Sequence, residues 1–155
     1  MKRSETNSFT VQEASEEDAP AILALADVHR DELGAIIHHR QWLLQQLTRG
    51  EIFVAKSGEG KVIGFVVFNH QSLKGQENTT VYYLCTDKDH RGQGAGKLLM
   101  EAVASDARIR GKKTIELKCP AHAPANDFYK SIGYQLRLSE TDREGNRLNV
   151  WTISL

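Results

Sequence analysis

No apolar run in the 155-residue chain approaches the length needed to cross a bilayer, so a membrane-spanning helix is not expected. Charge of one sign is missing as well: 20 Lys and Arg balance 20 Asp and Glu, a formal net charge of zero. A general nucleic-acid binder needs a basic excess to neutralise phosphates, so that class is set aside. Cysteine is scarce. Cys85 and Cys119 lie far apart, inside apolar runs and without nearby histidine. That spacing fits no metal site and predicts buried thiols rather than a disulfide. Internal repeats, low-complexity tracts and linkers are also missing. Residues 1–8 are polar and lead into no apolar stretch of signal-peptide length, so we expect a polar tail, then one domain over 9–155, in the cytoplasm.

What is present is concentrated between residues 81 and 107. The apolar run Val81-Tyr82-Tyr83-Leu84-Cys85-Thr86 reads as a strand, and His90-Arg91-Gly92-Gln93-Gly94-Ala95-Gly96-Lys97 as a basic, glycine-rich turn. Leu98, Leu99, Ala102, Val103 and Ala107 then recur at helical spacing, which places them on one helix face. A strand, a glycine-rich turn and a helix start together present unpaired backbone N–H groups and the positive end of a helix dipole to one point. Glycine lets the main chain approach an anion closely. This is a phosphate cradle, with Arg91 and Lys97 adding charge. It is not a Walker loop, because Arg91 stands five residues before Gly96 and Leu98 follows Lys97. Nor is it a dinucleotide fingerprint, whose third glycine is replaced by Lys97.

Phe9 to Glu13 alternates like a strand, and Ser15-Glu16-Glu17-Asp18 has the form of a capping box. Ile22, Leu25, Ala26 and His29 line one face of the helix that follows. A second helix is expected from about His38 to Arg49, with Trp42, Leu43 and Leu47 inward and Gly50 just past its end. Strands follow at Glu51 to Lys56 and Lys61 to Asn69, the second apolar on both faces. After a loop around Leu73 to Asn78 come the cradle strand and a helix ending near Gly111. Then follow a strand at Thr114 to Cys119, a short helix at Ala125 to Ile132, and strands near Tyr134 to Leu138 and Leu148 to Ser154. The order β-α-α-β-β-β-α-β-α-β-β predicts an α/β fold with a mixed, mostly antiparallel sheet and helices on both faces.

Arg91, Gly94 and Gly96 match the Arg/Gln-x-x-Gly-x-Gly/Ala signature of the GNAT acyltransferase superfamily. Asn126-Asp127-Phe128-Tyr129-Lys130-Ser131-Ile132-Gly133-Tyr134 is similar to that family's second landmark, an aromatic pair on a late helix followed by Gly and an aromatic residue. The element order is the family's too. The resemblance implies acetyl-CoA as co-substrate, entering where two parallel strands splay apart. It implies that backbone groups of Leu84, Cys85 and Thr86 hold the pantetheine arm. Arg91, Gly92, Gln93, Gly94, Ala95, Gly96 and Lys97 would hold the pyrophosphate. Tyr129 corresponds to the tyrosine that protonates the departing thiolate, while Phe128 reads as packing. Seven residues before Tyr129, where many relatives carry a cofactor-binding Asn, stands His122; Asn126 is the alternative donor.

The resemblance further implies direct transfer of an acetyl group to a primary amine of a small molecule or peptide, in a ternary complex. The general base is not legible: the cradle strand offers Tyr82 and Tyr83 but no carboxylate. Glu116 and Lys118 share one strand face, more in keeping with a solvated pair than with catalysis. Asp31, Glu32, His38 and His39 lie where the family builds its acceptor site, and by themselves read as a solvated loop. The segment Leu33-Gly34-Ala35-Ile36-Ile37 is either a pocket wall or core. A non-catalytic acyl-CoA-binding module of the same fold is the alternative, and the last two strands are candidates for pairing with a second copy.

Overall fold

A computed structural model describes residues 9–33, 40–70 and 77–155. The polar tail, the stretch from Gly34 to His39 and the loop around Leu73 lie outside the described residues, as does the Glu32 side chain. Seven strands form one sheet: β1 (Phe9–Glu13), β2 (Ile52–Ser57), β3 (Val62–His70), β4 (Asn78–Thr86), β5 (Thr114–Pro120), β6 (Gln135–Thr141) and β7 (Arg147–Ser154). Their order across it is β1-β2-β3-β4-β5-β7-β6. The pairings β1–β2, β2–β3, β5–β7 and β6–β7 are antiparallel, whereas β4–β5 is parallel. The helices are α1 (Ala19–Val28), α2 (Arg30–Leu33), α3 (Arg40–Thr48), α4 (Ala95–Ile109) and α5 (Ala125–Ser131). The expected order holds, with α2 as an unexpected single turn where the Leu33 N–H reaches the His29 carbonyl.

By compactness the chain divides into two units, 1–68 with 83–103 and 69–82 with 104–155. In the first, α1 and α3 lay Ile22, Leu23, Ala26, Leu43 and Leu47 into a core shared with Val54, Phe65, Val67 and Cys85. Ser15 and Asp18 form the expected capping box, and the Lys56 ammonium sits 3.0 Å from the Asp18 carboxylate. From Ile63 to Phe68, β3 is buried without a break, as a strand apolar on both faces should be. Gly64 is required there by crowding: a Cβ would stand 2.9 Å from the Cys85 carbonyl oxygen.

The second unit holds the parallel pair and the last two strands. Lys118 and Glu116 lie on a solvated face as expected, and there they pair with β6 rather than with each other, Lys118 to Glu140 at 2.9 Å and Glu116 to Arg137 at 3.7 Å. His70 bridges Thr79 and Asp106 at 2.7 Å each. Along α4, Ala95, Leu99, Val103 and Ala107 are buried at every fourth position, joined by Met100. Leu98 was expected inward and is 41% exposed, since it lies a quarter turn off that stripe.

Candidate active site

Parallel pairing of β4 with β5 runs from Asn78↔Thr114 to Val81↔Leu117 and stops, although β4 continues to Thr86. Tyr83, Leu84, Cys85 and Thr86 therefore extend beyond the last β5 partner. A 3-10 turn at Lys88–His90 follows, then Arg91 in extended conformation. Gly92 and Gly94 take φ of +78° and +93°, values that L side chains rarely adopt, and a Cβ at either would project into open space. The first intrahelical bond of α4 runs from the Leu98 N–H to the Gly94 carbonyl. The N–H groups of Ala95, Gly96 and Lys97 thus precede any helical acceptor. No acidic residue lies in this first turn to repel an anion.

The turn is anchored at both ends. The Arg91 Nε–H donates to the Thr86 carbonyl at 3.1 Å, and the Asp87 N–H to the Ile63 carbonyl at 2.8 Å. His29, 4% exposed at the end of α1, supplies the third tie. Its Nδ1 lies 3.0 Å from the Leu25 carbonyl, which can only accept, while its Nε2 accepts the Lys88 N–H at 3.1 Å. Those partners fix the neutral Nδ1–H tautomer. Asp87 lies between two imidazoles, 3.9 Å from His29 and 3.2 Å from His90. Within the turn the Gln93 Oε1 is buried and lacks a hydrogen-bond partner, the only such side-chain atom among the described residues. A buried acceptor left in this state is costly unless a ligand donor satisfies it.

In the second unit, Tyr129 is 7% exposed on α5, its ring edge-on to Phe128 at 5.3 Å and tilted to Tyr134 at 5.9 Å. Burial, with the neighbouring Cys119 and Tyr134, pushes its phenol well above the ordinary tyrosine range. At neutral pH it is protonated, as an ordinary tyrosine is, and burial makes it a weaker acid. Gly133, with φ of +99°, ends the helix, and the Tyr134 N–H bonds the Tyr129 carbonyl at 3.0 Å. Cys119 is buried with its thiol pKa raised, Cys85 is buried too, and neither forms a disulfide.

Arg91 through Lys97 thus run from the 3-10 turn that follows β4 into the first turn of α4. Asn126 is placed differently from what a cofactor contact would ask. Its amide donates to the carbonyls of Pro120, Ala121 and Ala123, and its Oδ1 accepts from Asn149 and Trp151. His122 is exposed. Sequence reasoning placed His29 on the inner face of α1 but missed its bond to the turn. Nothing local signals a partner 59 residues away. The orphaned Gln93 oxygen has no sequence signal either.

Residues 48–136 match the family described as an acetyltransferase (GNAT) domain. An N-acetyltransferase of Methanocaldococcus jannaschii, itself uncharacterised, is 27% identical over 99 residues, 61% of this chain and 43% of its own length. This chain therefore spans less than half of that relative. Among solved structures, Ard1 from Thermoplasma volcanium superposes with a TM-score of 0.79 at 19% identity, over 95% of this chain and 97% of its own. An acetyltransferase-type protein from Salmonella typhimurium, solved with its cofactor acetyl-CoA, gives 0.75 at 19% identity, over 96% and 94%. At these identities the two structures speak for the fold.

Proposed function

The chain belongs to the GNAT acetyltransferases, and on that premise we propose that it transfers an acetyl group from acetyl-CoA to a primary amine by direct attack in a ternary complex. The observation that carries this reading is the turn from Arg91 to Lys97. It joins left-handed glycines over open space, N–H groups ahead of the first helical acceptor and the cations Arg91 and Lys97, with no acidic residue in the first turn of α4. A pyrophosphate fits such a turn, because the backbone dipoles are already oriented and need no reorganisation on binding. The acetyl-CoA bound by the Salmonella typhimurium protein supports the same ligand here.

In this reading backbone groups of Leu84, Cys85 and Thr86 hold the pantetheine arm and polarise the thioester carbonyl. Charge develops on that oxygen as the amine nitrogen bonds to the carbonyl carbon. The C–S bond breaks, the departing sulfur takes the Tyr129 proton, and the proton that the amine nitrogen sheds passes to solvent, from which the phenolate is reprotonated. Burial raises this phenol and so makes it a weaker acid, and the role rests on the match of Tyr129 to the family's second landmark. The acceptor is an amine of a small molecule or a peptide. The two buried cysteines without a disulfide suit a reducing compartment, which supports a cytoplasmic location.

The test is thiol release from acetyl-CoA against polyamines, amino acids, aminoglycosides and short peptides. Release with one class supports the transferase and names its acceptor. Tight acetyl-CoA binding without release against any amine would favour an acyl-CoA-binding module.

A further inference from the structure

His29 is held by two backbone groups at once. Its Nδ1–H donates to the Leu25 carbonyl of its own helix at 3.0 Å, and its Nε2 accepts the Lys88 N–H at 3.1 Å. The ring is buried. One oxygen of the Asp87 carboxylate stands 3.9 Å from Nε2, and the other lies 3.2 Å from the His90 Nδ1. Asp87 is itself fixed by the main chain. Its N–H donates to the Ile63 carbonyl of β3 and its carbonyl accepts the His90 N–H, each at 2.8 Å. His90 leads into the extended Arg91 and the left-handed Gly92. All these residues belong to the same compact unit as the Arg91–Lys97 turn.

The two imidazoles answer a proton in opposite ways. His90 faces a carboxylate, which only accepts, so its Nδ1 is a donor whether the ring is neutral or charged. On His29 the Nδ1 is already a donor, and an added proton must go to Nε2. That new N–H would face the Lys88 N–H, donor against donor, and the bond between them is lost. The Asp87 carboxylate at 3.9 Å then becomes its acceptor after a small movement, as a charge-assisted bond. The other charged side chains beside His29 and Asp87 are exposed: Asp27 and Arg30 pair with each other, and Asp31, Lys88 and Asp89 face solvent. We propose that His29 is a proton switch on the glycine-rich turn. Neutral, it holds the Lys88 N–H and the turn binds acetyl-CoA; protonated, it exchanges that N–H for the Asp87 carboxylate and binding weakens. Imidazole suits the task, because its charge changes between about pH 5 and 8. The switch takes its ligand from the acetyltransferase reading above, while its geometry stands apart from that reading.

Calorimetry of acetyl-CoA binding to the full chain at about pH 7.5 and about pH 5.5 tests the coupling. A phosphate monoester on the ligand titrates in this range, with a second pKa of about 6. Each protein is therefore read as a ratio of its two affinities and compared with His29→Gln, whose amide oxygen offers the Lys88 N–H an acceptor that does not titrate. Wild type should lose about tenfold more affinity in acid than His29→Gln does, a loss that one linked proton permits over this interval. His90→Gln should respond as wild type. Equal ratios in wild type and His29→Gln overturn the proposal, and so does a His90→Gln ratio that drops to that of His29→Gln. Nitrogen NMR of the free wild-type chain is the second measurement, and it serves even where His29→Gln fails to fold. His29 should show the Nδ1–H tautomer at about pH 7.5, and in acid the Lys88 amide signal should move together with the His29 ring nitrogens. A Lys88 amide that stays put while His29 titrates sinks the switch, as does a His29 that takes up no proton down to about pH 5. If the wild-type chain binds no acetyl-CoA at either pH, the acetyltransferase reading fails, and the NMR titration still decides whether the switch exists.

Discussion

Two turns of the chain are built by opposite means. The turn from His90 to Lys97 owes its shape to main-chain conformation: two left-handed glycines, an extended Arg91 and the start of a fifteen-residue helix. The turn from Pro120 to Ala123 owes its shape to one side chain, the Asn126 amide, which joins three carbonyls to Asn149 and Trp151. A main-chain site offers many N–H groups at once and suits a doubly charged diphosphate. A side-chain clamp offers no donors outward. The contrast is between a turn shaped by its own backbone and a turn shaped by one side chain reaching in from elsewhere.

The sharpest way to break this contrast is Gly94→Val. A β-branched residue at φ of +93° is strained, and its side chain would enter the space assigned to the pyrophosphate. Acetyl-CoA affinity should fall by about 100-fold or more by calorimetry, a loss of about 3 kcal/mol. Unchanged affinity would mean that the turn is not the cradle. Next in size is Tyr129→Phe, which should lower kcat by about 100-fold, the low end for a general acid, with KM for acetyl-CoA unchanged. An unaltered kcat would leave this tyrosine with packing alone.

His29→Leu probes a side chain from outside the turn that anchors it. It leaves the Lys88 N–H without its acceptor and should cost about 1–3 kcal/mol in urea unfolding. Acetyl-CoA affinity should weaken by severalfold; a stability loss with no loss of affinity would separate the anchor from the cradle. The smallest effect is expected in alkali. Because folding raises the Tyr129 phenol above the unfolded value of about 10, the folded state binds its proton more tightly. That contribution is complete below pH of about 10 and is lost as pH rises through the folded value. Tyr129→Phe should therefore lose less stability than wild type between neutral pH and the alkaline limit. Equal losses would mean that the phenol is not protected by the fold.

Local patterns foresaw most of the elements, because helix and strand periodicity and the stop signals at Gly50 and Gly133 act within a few residues. The capping box at Ser15 and the unbroken burial of β3 followed from the same short-range rules. Leu98 was misplaced because five apolar residues in α4 span more than one face, and only packing selects the stripe. Glu116 and Lys118 share a strand face as alternation requires, yet their partners come from β6, which no spacing rule names.

The shape of the glycine-rich turn was determined by the sequence itself. Glycines at fixed spacing between an apolar strand and an amphipathic helix specify left-handed turns and exposed N–H groups wherever they fold. Tertiary structure alone decided what steadies that turn and what Asn126 does. His29 reaches Lys88 across 59 residues, and Asn126 reaches Asn149 and Trp151 across 23 and 25. A hydrogen bond is set by positions in space, and a residue so far along the chain is brought there only when the core closes around it.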